Sequence, residues 1–137
     1  MTYAPTVAYL QAQALEAGAA SFWHGKQATQ SINYNAPFPQ ADLLLLNPNL
    51  DTASGNVAYD AVVYFYGKDE HENDGTDSVA VLDDIDHLTQ RFVQLLVDSE
   101  DFDLAPQVRR QPLYREGSMI GTGFALLFTL TARSLVC

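Results

Sequence analysis

Hydrophobic residues along this chain follow two different periods, and the first of them predicts two helices. A helix is predicted over 4–17, where apolar side chains recur three or four residues apart, with Pro5 suited to the first turn and Gly18 able to end it. The residues that set this period are Val7, Leu10, Ala14 and Leu15.

A second helix is predicted over 78–97, with Asp77 or Ser78 as its N-cap. Aspartates in its first half favour this start, because carboxylates stabilise the positive end of a helix dipole. The apolar residues that repeat at helical spacing are Leu82, Ile85, Leu88, Phe92, Leu95 and Leu96.

The second period, an alternation typical of strands, is clearest over 56–66. This segment is rich in β-branched and aromatic residues, and both of its alternating faces are largely apolar. We therefore expect a central strand covered on both sides. Further strands are predicted over 20–27, over 41–46 with an end at Asn47-Pro48, over 107–114, and over 122–134.

The predicted order is α-β-β-β-α-β-β within one domain, residues 1–137. Residues 31–40 contain Pro37 and Pro39, which favour an irregular segment or a sheet edge, and residues 98–107 are predicted to be a connector. Strands outnumber helices and lie in two groups. The expected fold class is therefore α+β, a mostly antiparallel sheet with two helices packed on it.

Composition excludes several classes of protein. Hydrophobic residues make up 47% of the chain, which is incompatible with a disordered tail. No apolar run approaches the roughly 20 residues of a membrane span, and the N-terminus has no signal-peptide pattern. Cys137, the single cysteine, cannot form an internal disulfide, so we expect a reducing, cytoplasmic setting.

The net charge of −10 is distributed unevenly. Residues 60–103 hold thirteen acids against two basic residues, whereas residues 104–137 hold four arginines against one glutamate. An acidic field of this kind repels phosphate backbones and disfavours tight nucleic-acid binding. It suits contact with a basic partner, or copies of the chain joined negative surface to positive surface. Solubility alone is the other explanation for the acidity.

The acidic loop of residues 67–78 partly matches a calcium-binding loop. Glu70, Glu72 and Asp74 take alternate positions before Gly75, as the first half of such a loop requires. The twelfth position should supply a bidentate glutamate and is Val81, and a strand precedes the loop instead of a helix. We therefore expect a charged contact loop and no specific metal site.

Candidate catalytic groups do not converge in the sequence. The three histidines have no zinc-ligand spacing, and His24, beside Trp23, is expected to be an aromatic strand residue. The glycine-rich segment 117–123 leads into a strand, so it offers no helix N-terminus to an anion. Three helix aspartates are candidates for an acid/base pair or, preferably, for dipole partners. They are Asp83, Asp84 and Asp86. We expect no catalytic residue, no metal and no cofactor.

The second half of the chain resembles small virion proteins of phage tail-assembly modules. The resemblance lies in an acidic loop before "VAVLDDIDHLTQRFVQLL", with Leu88 in the core segment Asp86-His87-Leu88-Thr89, then the acidic connector "DSEDFDL", and then a strand that begins Thr122-Gly123. The layout α-β-β-β-α-β is similar to that of the tail-terminator, or tail-completion, family. Members form hexameric rings that cap the last tube ring, halt polymerisation and offer a docking face to the neck.

This resemblance implies a non-enzymatic virion protein, assembled in the host cytoplasm, that contacts copies of itself, the tail tube and neck proteins. DNA would pass through the ring without specific binding. The expected contact surfaces are a basic one and an acidic one, with Glu100, Asp101 and Asp103 as a second acidic choice. The basic surface comprises Arg109, Arg110, Arg115 and Arg133, and the acidic surface Glu70, Glu72, Asp74 and Asp77.

Arg109 and Arg110 are adjacent in a predicted strand, so they should point to opposite faces and only one of them can face a given partner. Either arginine could instead be an edge charge that discourages aggregation. A neck or head-completion protein fits the same pattern as a tail terminator. A monomeric acidic adaptor that occupies a basic site on another protein is a second class, and a small enzyme or cation-binding module is a third.

Overall fold

A computed structural model describes residues 2–24, 38–68, 76–113 and 121–132, with the backbone alone at 68, 76–78, 113 and 121. In chain order the elements are α1 (Tyr3–Ala17), β1 (Ser21–His24), β2 (Gln40–Leu50), β3 (Val57–Lys68), α2 (Thr76–Val97), β4 (Phe102–Leu104), β5 (Arg109–Leu113) and β6 (Gly121–Ala132). The α+β class and the predicted order are confirmed. The structure adds the short strand β4 within the predicted connector.

The strands form one six-stranded sheet in the order β1-β2-β3-β6-β4, with β5 also pairing β6. Only the β1–β2 pair is parallel among the described strands, and the others are antiparallel. Strands β4 and β5 lie one after the other along the same side of β6, because β4 pairs its C-terminal end and β5 its N-terminal half. The predicted central position of 56–66 is confirmed, since β3 lies between β2 and β6.

Both helices pack on one face of the sheet and enclose the main core. Phe92 of α2 contacts Phe65 of β3 and Phe128 of β6 with edge-to-face rings, at centroid distances of 5.0 and 6.0 Å. Alternate residues of β3 from Tyr59 to Phe65 enter this core with alternate residues of β6 up to Leu130. The buried positions of α2 lie on one side of the helix, namely Ile85, Leu88, Thr89, Phe92 and Leu96.

Helix α1 ends where the sequence predicts. Gly18 has φ of +129°, and the N–H groups of Gly18 and Ala19 donate to Leu15 and Ala14 carbonyls at 3.1 and 3.0 Å. The last turn of α1 contains no basic residue, but Arg91 of α2 donates from Nε to the Ala17 carbonyl at 2.8 Å. A guanidinium from the neighbouring helix therefore stabilises the negative end of α1.

Two predicted boundaries are wrong. Strand β2 does not end at Asn47-Pro48 but continues to Leu50, with Pro48 opposite Tyr59 of β3. Strand β1 pairs β2 only up to Leu43, so the second half of β2 is an edge, where a proline without an N–H is tolerated. Helix α2 begins at Thr76, so Asp77 and Ser78 lie inside its first turn and neither is the N-cap.

The expectation that β3 is covered on both sides is met only in part. On the face opposite the helices, Tyr66 is 5% exposed and packs with Ala125 and Phe38. Further along the same face Asp60 is exposed, and no described helix packs there. This second side of the sheet is called the open face below.

Candidate interaction surface

The strand register defines which side chains share the open face. Because side chains alternate along a strand, the neighbours of the core residues Ala61 and Val63 point away from the helices. Register then places an apolar row across three strands, with Leu45 opposite Val62 and Val62 opposite Leu127. Leu45 is 42% exposed, and the other two are half-buried. The centre of the open face is therefore apolar and accessible.

A polar row crosses the same strands two residues further along. Asp60 of β3 lies opposite Asn47 of β2 and Thr129 of β6. Its carboxylate accepts one hydrogen bond from Asn49 Nδ2 at 2.8 Å and another from Thr129 Oγ1 at 2.7 Å. Both oxygens are thus held by neutral donors, one from each flanking strand. The result is an exposed negative charge with a fixed position in the middle of the sheet.

Arg109 lies at the margin of this face. It pairs in register with Leu127, which points away from the helices, so its side chain shares the open face. Arg109 is exposed, and within the described residues no ion pair or hydrogen bond of its guanidinium is found. The predicted interface residue is therefore available for contact with another molecule.

Arg110 points the opposite way, as the alternation predicts. Its guanidinium forms an ion pair with Asp86 of α2, donates to Thr89 Oγ1 at 3.4 Å and lies 5.6 Å from the centroid of the Phe124 ring. Arg110 therefore links β5 to α2 by an intramolecular contact. Of the two adjacent arginines, only Arg109 presents its charge to the open face.

Most of the other predicted contact residues lie outside the described residues. These are Arg115, Arg133, Glu70, Glu72 and Asp74, together with the side chain of Asp77 in the first turn of α2. The second acidic choice is described: Asp101 and Asp103 are exposed, and Asp103 pairs in register with Thr131 on the open face. Asp42 of β2 lies opposite Tyr64 of β3, which also points to the open face. Carboxylates therefore lie on both sides of the apolar row, with Asp42 on one side and Asp60 and Asp103 on the other.

The helix aspartates do not form an acid/base pair. Asp86 contacts Arg110, whereas Asp83 lies 4.0 Å from His87 on the outer side of α2. Partial burial raises the pKa of Asp86, but hydrogen bonds from Gln90 and Arg110 and the Arg110 charge outweigh burial and lower it below its ordinary value. These carboxylates point in different directions and stabilise structure.

The pKa of Asp86 gives a pH-dependent prediction. A carboxyl whose folded pKa is lowered contributes stability above its unfolded pKa and loses it as pH falls through the folded value. We expect D86N to lower the unfolding free energy by up to about 1 kcal/mol at neutral pH, because the pair is partly exposed. Urea denaturation at neutral and acidic pH measures this difference, which should vanish in acid. An equal loss at both pH values would contradict it, and D84N serves as control.

His24 is held in a small surface arrangement. Its Nδ1 lies 2.9 Å from the Leu43 carbonyl, and its Nε2 lies 3.2 Å from the Tyr3 hydroxyl. A carbonyl only accepts, so Nδ1 carries the proton and Nε2 of the neutral ring accepts from Tyr3. The histidine fastens α1 to the parallel β1–β2 pair. Among the described residues no group of three or more His, Cys, Asp or Glu could hold a metal ion.

Sequence reasoning missed Asp60. The signal was present, since an aspartate interrupts the alternate face of an otherwise apolar strand, and aspartate is disfavoured in strands. What the sequence could not supply was the register that brings Asn49 and Thr129 to its two carboxylate oxygens.

No described helix is long and apolar enough to cross a membrane. Comparison of the chain with protein-family models and with curated proteins finds no match.

Proposed function

We propose that this protein is a structural protein of a tailed phage or phage-like particle, which forms a ring at the end of the tail tube and joins the tube to the neck. The ring is expected to be hexameric, as the resemblance in the second half of the chain implies. In this role the chain makes and breaks no covalent bond. Its role is to bind other protein chains and copies of itself.

One observation carries the proposal: an exposed cationic edge on an otherwise strongly acidic protein. The described residues of β5 are exposed on both sides of the strand, and Arg109 presents a charge there that no described group neutralises. The Arg110 pair with Asp86 links this edge to α2. In a ring, a basic edge of one subunit meets an acidic surface of the next, which is a heterologous contact.

Deletion of the gene from the phage or prophage that encodes it tests the proposal. We expect particles whose tails are abnormally long and lack heads, because tube polymerisation no longer stops. A head-completion role predicts tails of normal length without heads, and negative-stain electron microscopy separates these outcomes. Normal, infectious particles would overturn any structural role in the virion.

The contribution of Arg109 is tested by complementing this deletion with variants. We expect R109E to give long tails again, because the contact between subunits now joins like charges, while Q11E, which adds a negative charge at an exposed position of α1, restores normal tails. Full complementation by R109E would remove Arg109 from the subunit contact.

A further inference from the structure

The open face has the composition of a docking surface. It combines the apolar row Leu45–Val62–Leu127 with the fixed carboxylate of Asp60 directly beside it. Burying the apolar row against a partner would be favourable, because it removes apolar surface from water. The carboxylate would then have to be paired, because an unpaired buried charge is costly. A suitable partner must therefore bring both apolar surface and positive charge.

The manner in which Asp60 is held adds to this requirement. An aspartate on a solvated strand would ordinarily sample several rotamers, whereas here hydrogen bonds from Asn49 and Thr129 fix both carboxylate oxygens. A fixed anion loses little conformational entropy when it pairs, so it binds a cation better than a mobile one. A carboxylate with two oriented oxygens also matches the fork of an arginine guanidinium, which binds in a bidentate manner.

We propose that the open face docks a protein partner through an arginine of that partner, which pairs with Asp60 while apolar residues beside it cover Leu45, Val62 and Leu127. This inference rests on the proposed function in one respect, since the partner would be a protein of the tail or neck. The site itself is defined by this chain alone. It adjoins the β5 edge assigned to the subunit contact, because Arg109 pairs in register with Leu127, but its central residue is Asp60.

A second copy of this chain is the competing occupant. Arg109 lies on the same face and could in principle reach Asp60 of another copy. Charge disfavours this arrangement, because two open faces brought together would each carry Asp42, Asp60 and Asp103 against one described arginine. A basic partner is attracted by these carboxylates, whereas the open face of a second copy is repelled by them.

Binding of a defined probe tests the site on the full chain. The probe is a capped peptide that alternates leucine with arginine, and the matched peptide has glutamate in place of arginine. We expect the arginine peptide to bind, with the largest amide chemical-shift changes at Asp60, Val62 and Leu127 in heteronuclear NMR spectra. D60N should weaken binding about tenfold, the effect of losing one charge-assisted hydrogen-bonded pair.

Matched variants separate docking at Asp60 from general attraction to an acidic protein. D84N removes the same charge from the exposed side of α2 and should leave the affinity unchanged. T129V keeps the charge but removes one of the donors that fix it, and should weaken binding less than D60N does.

Three results, besides failure of the arginine peptide to bind, would overturn the proposal. The first is equal weakening by D60N and D84N, and the second is equal binding of the glutamate peptide. The third is self-association through this face, seen by sedimentation and abolished by D60N, which would make a second copy the occupant. Failure of the peptide to bind removes the docking site but leaves the tail phenotype of the gene deletion intact. The two proposals can therefore fail separately.

Discussion

G123A is expected to remove most of the stability of this protein, a loss of more than about 4 kcal/mol against a typical total of about 5–15 kcal/mol. A Cβ at position 123 would lie 1.7 Å from the Phe65 carbonyl oxygen, 2.8 Å from its carbon and 3.0 Å from the Tyr66 Cα. All three contacts are with backbone of the neighbouring strand β3. Because no flexible side chain is involved, none can move aside to relieve these contacts. The strands themselves must therefore separate.

The position of Gly123 makes this separation costly. It lies opposite Tyr66 in the β3–β6 ladder, which runs from Ala58 to Lys68 on β3 and joins the two central strands of the sheet. Residues of both strands enter the core under α2, so moving one strand also disturbs packing beneath the helix. The loss therefore combines a steric clash, broken ladder hydrogen bonds and disturbed packing.

Gly55 supplies the matched control. It has φ of +76°, and an added Cβ would meet no atom within 4 Å, so G55A costs only the left-handed conformation, about 1–2 kcal/mol. Urea denaturation followed by far-ultraviolet circular dichroism compares the two variants with the parent chain. If G123A loses no more stability than G55A, then β6 does not approach β3 at this position as described.

Local periodicity was sufficient to predict both helices and the central strand. The Leu10–Ala14 spacing, the run of apolar residues along α2 and the alternation over 56–66 each follow from which side of an element is buried. The same alternation correctly assigned Arg109 and Arg110 to opposite sides of β5. Predictions of this kind succeed because a single element contains all the information they require.

Apart from the start of α2, the wrong and missing predictions concern contacts between elements distant in sequence. Pro48 was expected to end a strand. Whether a strand tolerates a proline depends on whether another strand pairs with it on its outer side. Strand β4 contains only three residues, and its strand conformation depends on pairing with β6. The cluster around Asp60 combines residues of β2, β3 and β6, so only the register of three strands reveals it. A candidate contact surface is thus harder to predict than the fold that carries it.

F92A is expected to be the most damaging substitution of a core side chain, with a loss of about 3–5 kcal/mol. Phe92 is 1% exposed and lies between Phe65 and Phe128, so its ring joins α2 to both central strands. Truncation to alanine removes buried apolar surface and leaves a cavity that the rigid sheet beneath cannot close. The remaining rings then lose their edge-to-face partner as well.

Two further variants separate these contributions in the same denaturation measurement. F92L keeps much of the volume and loses the two ring contacts, which are worth about 0.5–1.5 kcal/mol per pair, so we expect a loss of about 1–3 kcal/mol. V97A changes a residue that is 55% exposed on the same helix and should alter stability by less than about 0.5 kcal/mol. If F92A were no more damaging than V97A, α2 would not lie on the sheet as described. The β5 edge, which the Asp86–Arg110 ion pair links to that helix, would then lose this link, because the pair requires α2 to lie beside β5.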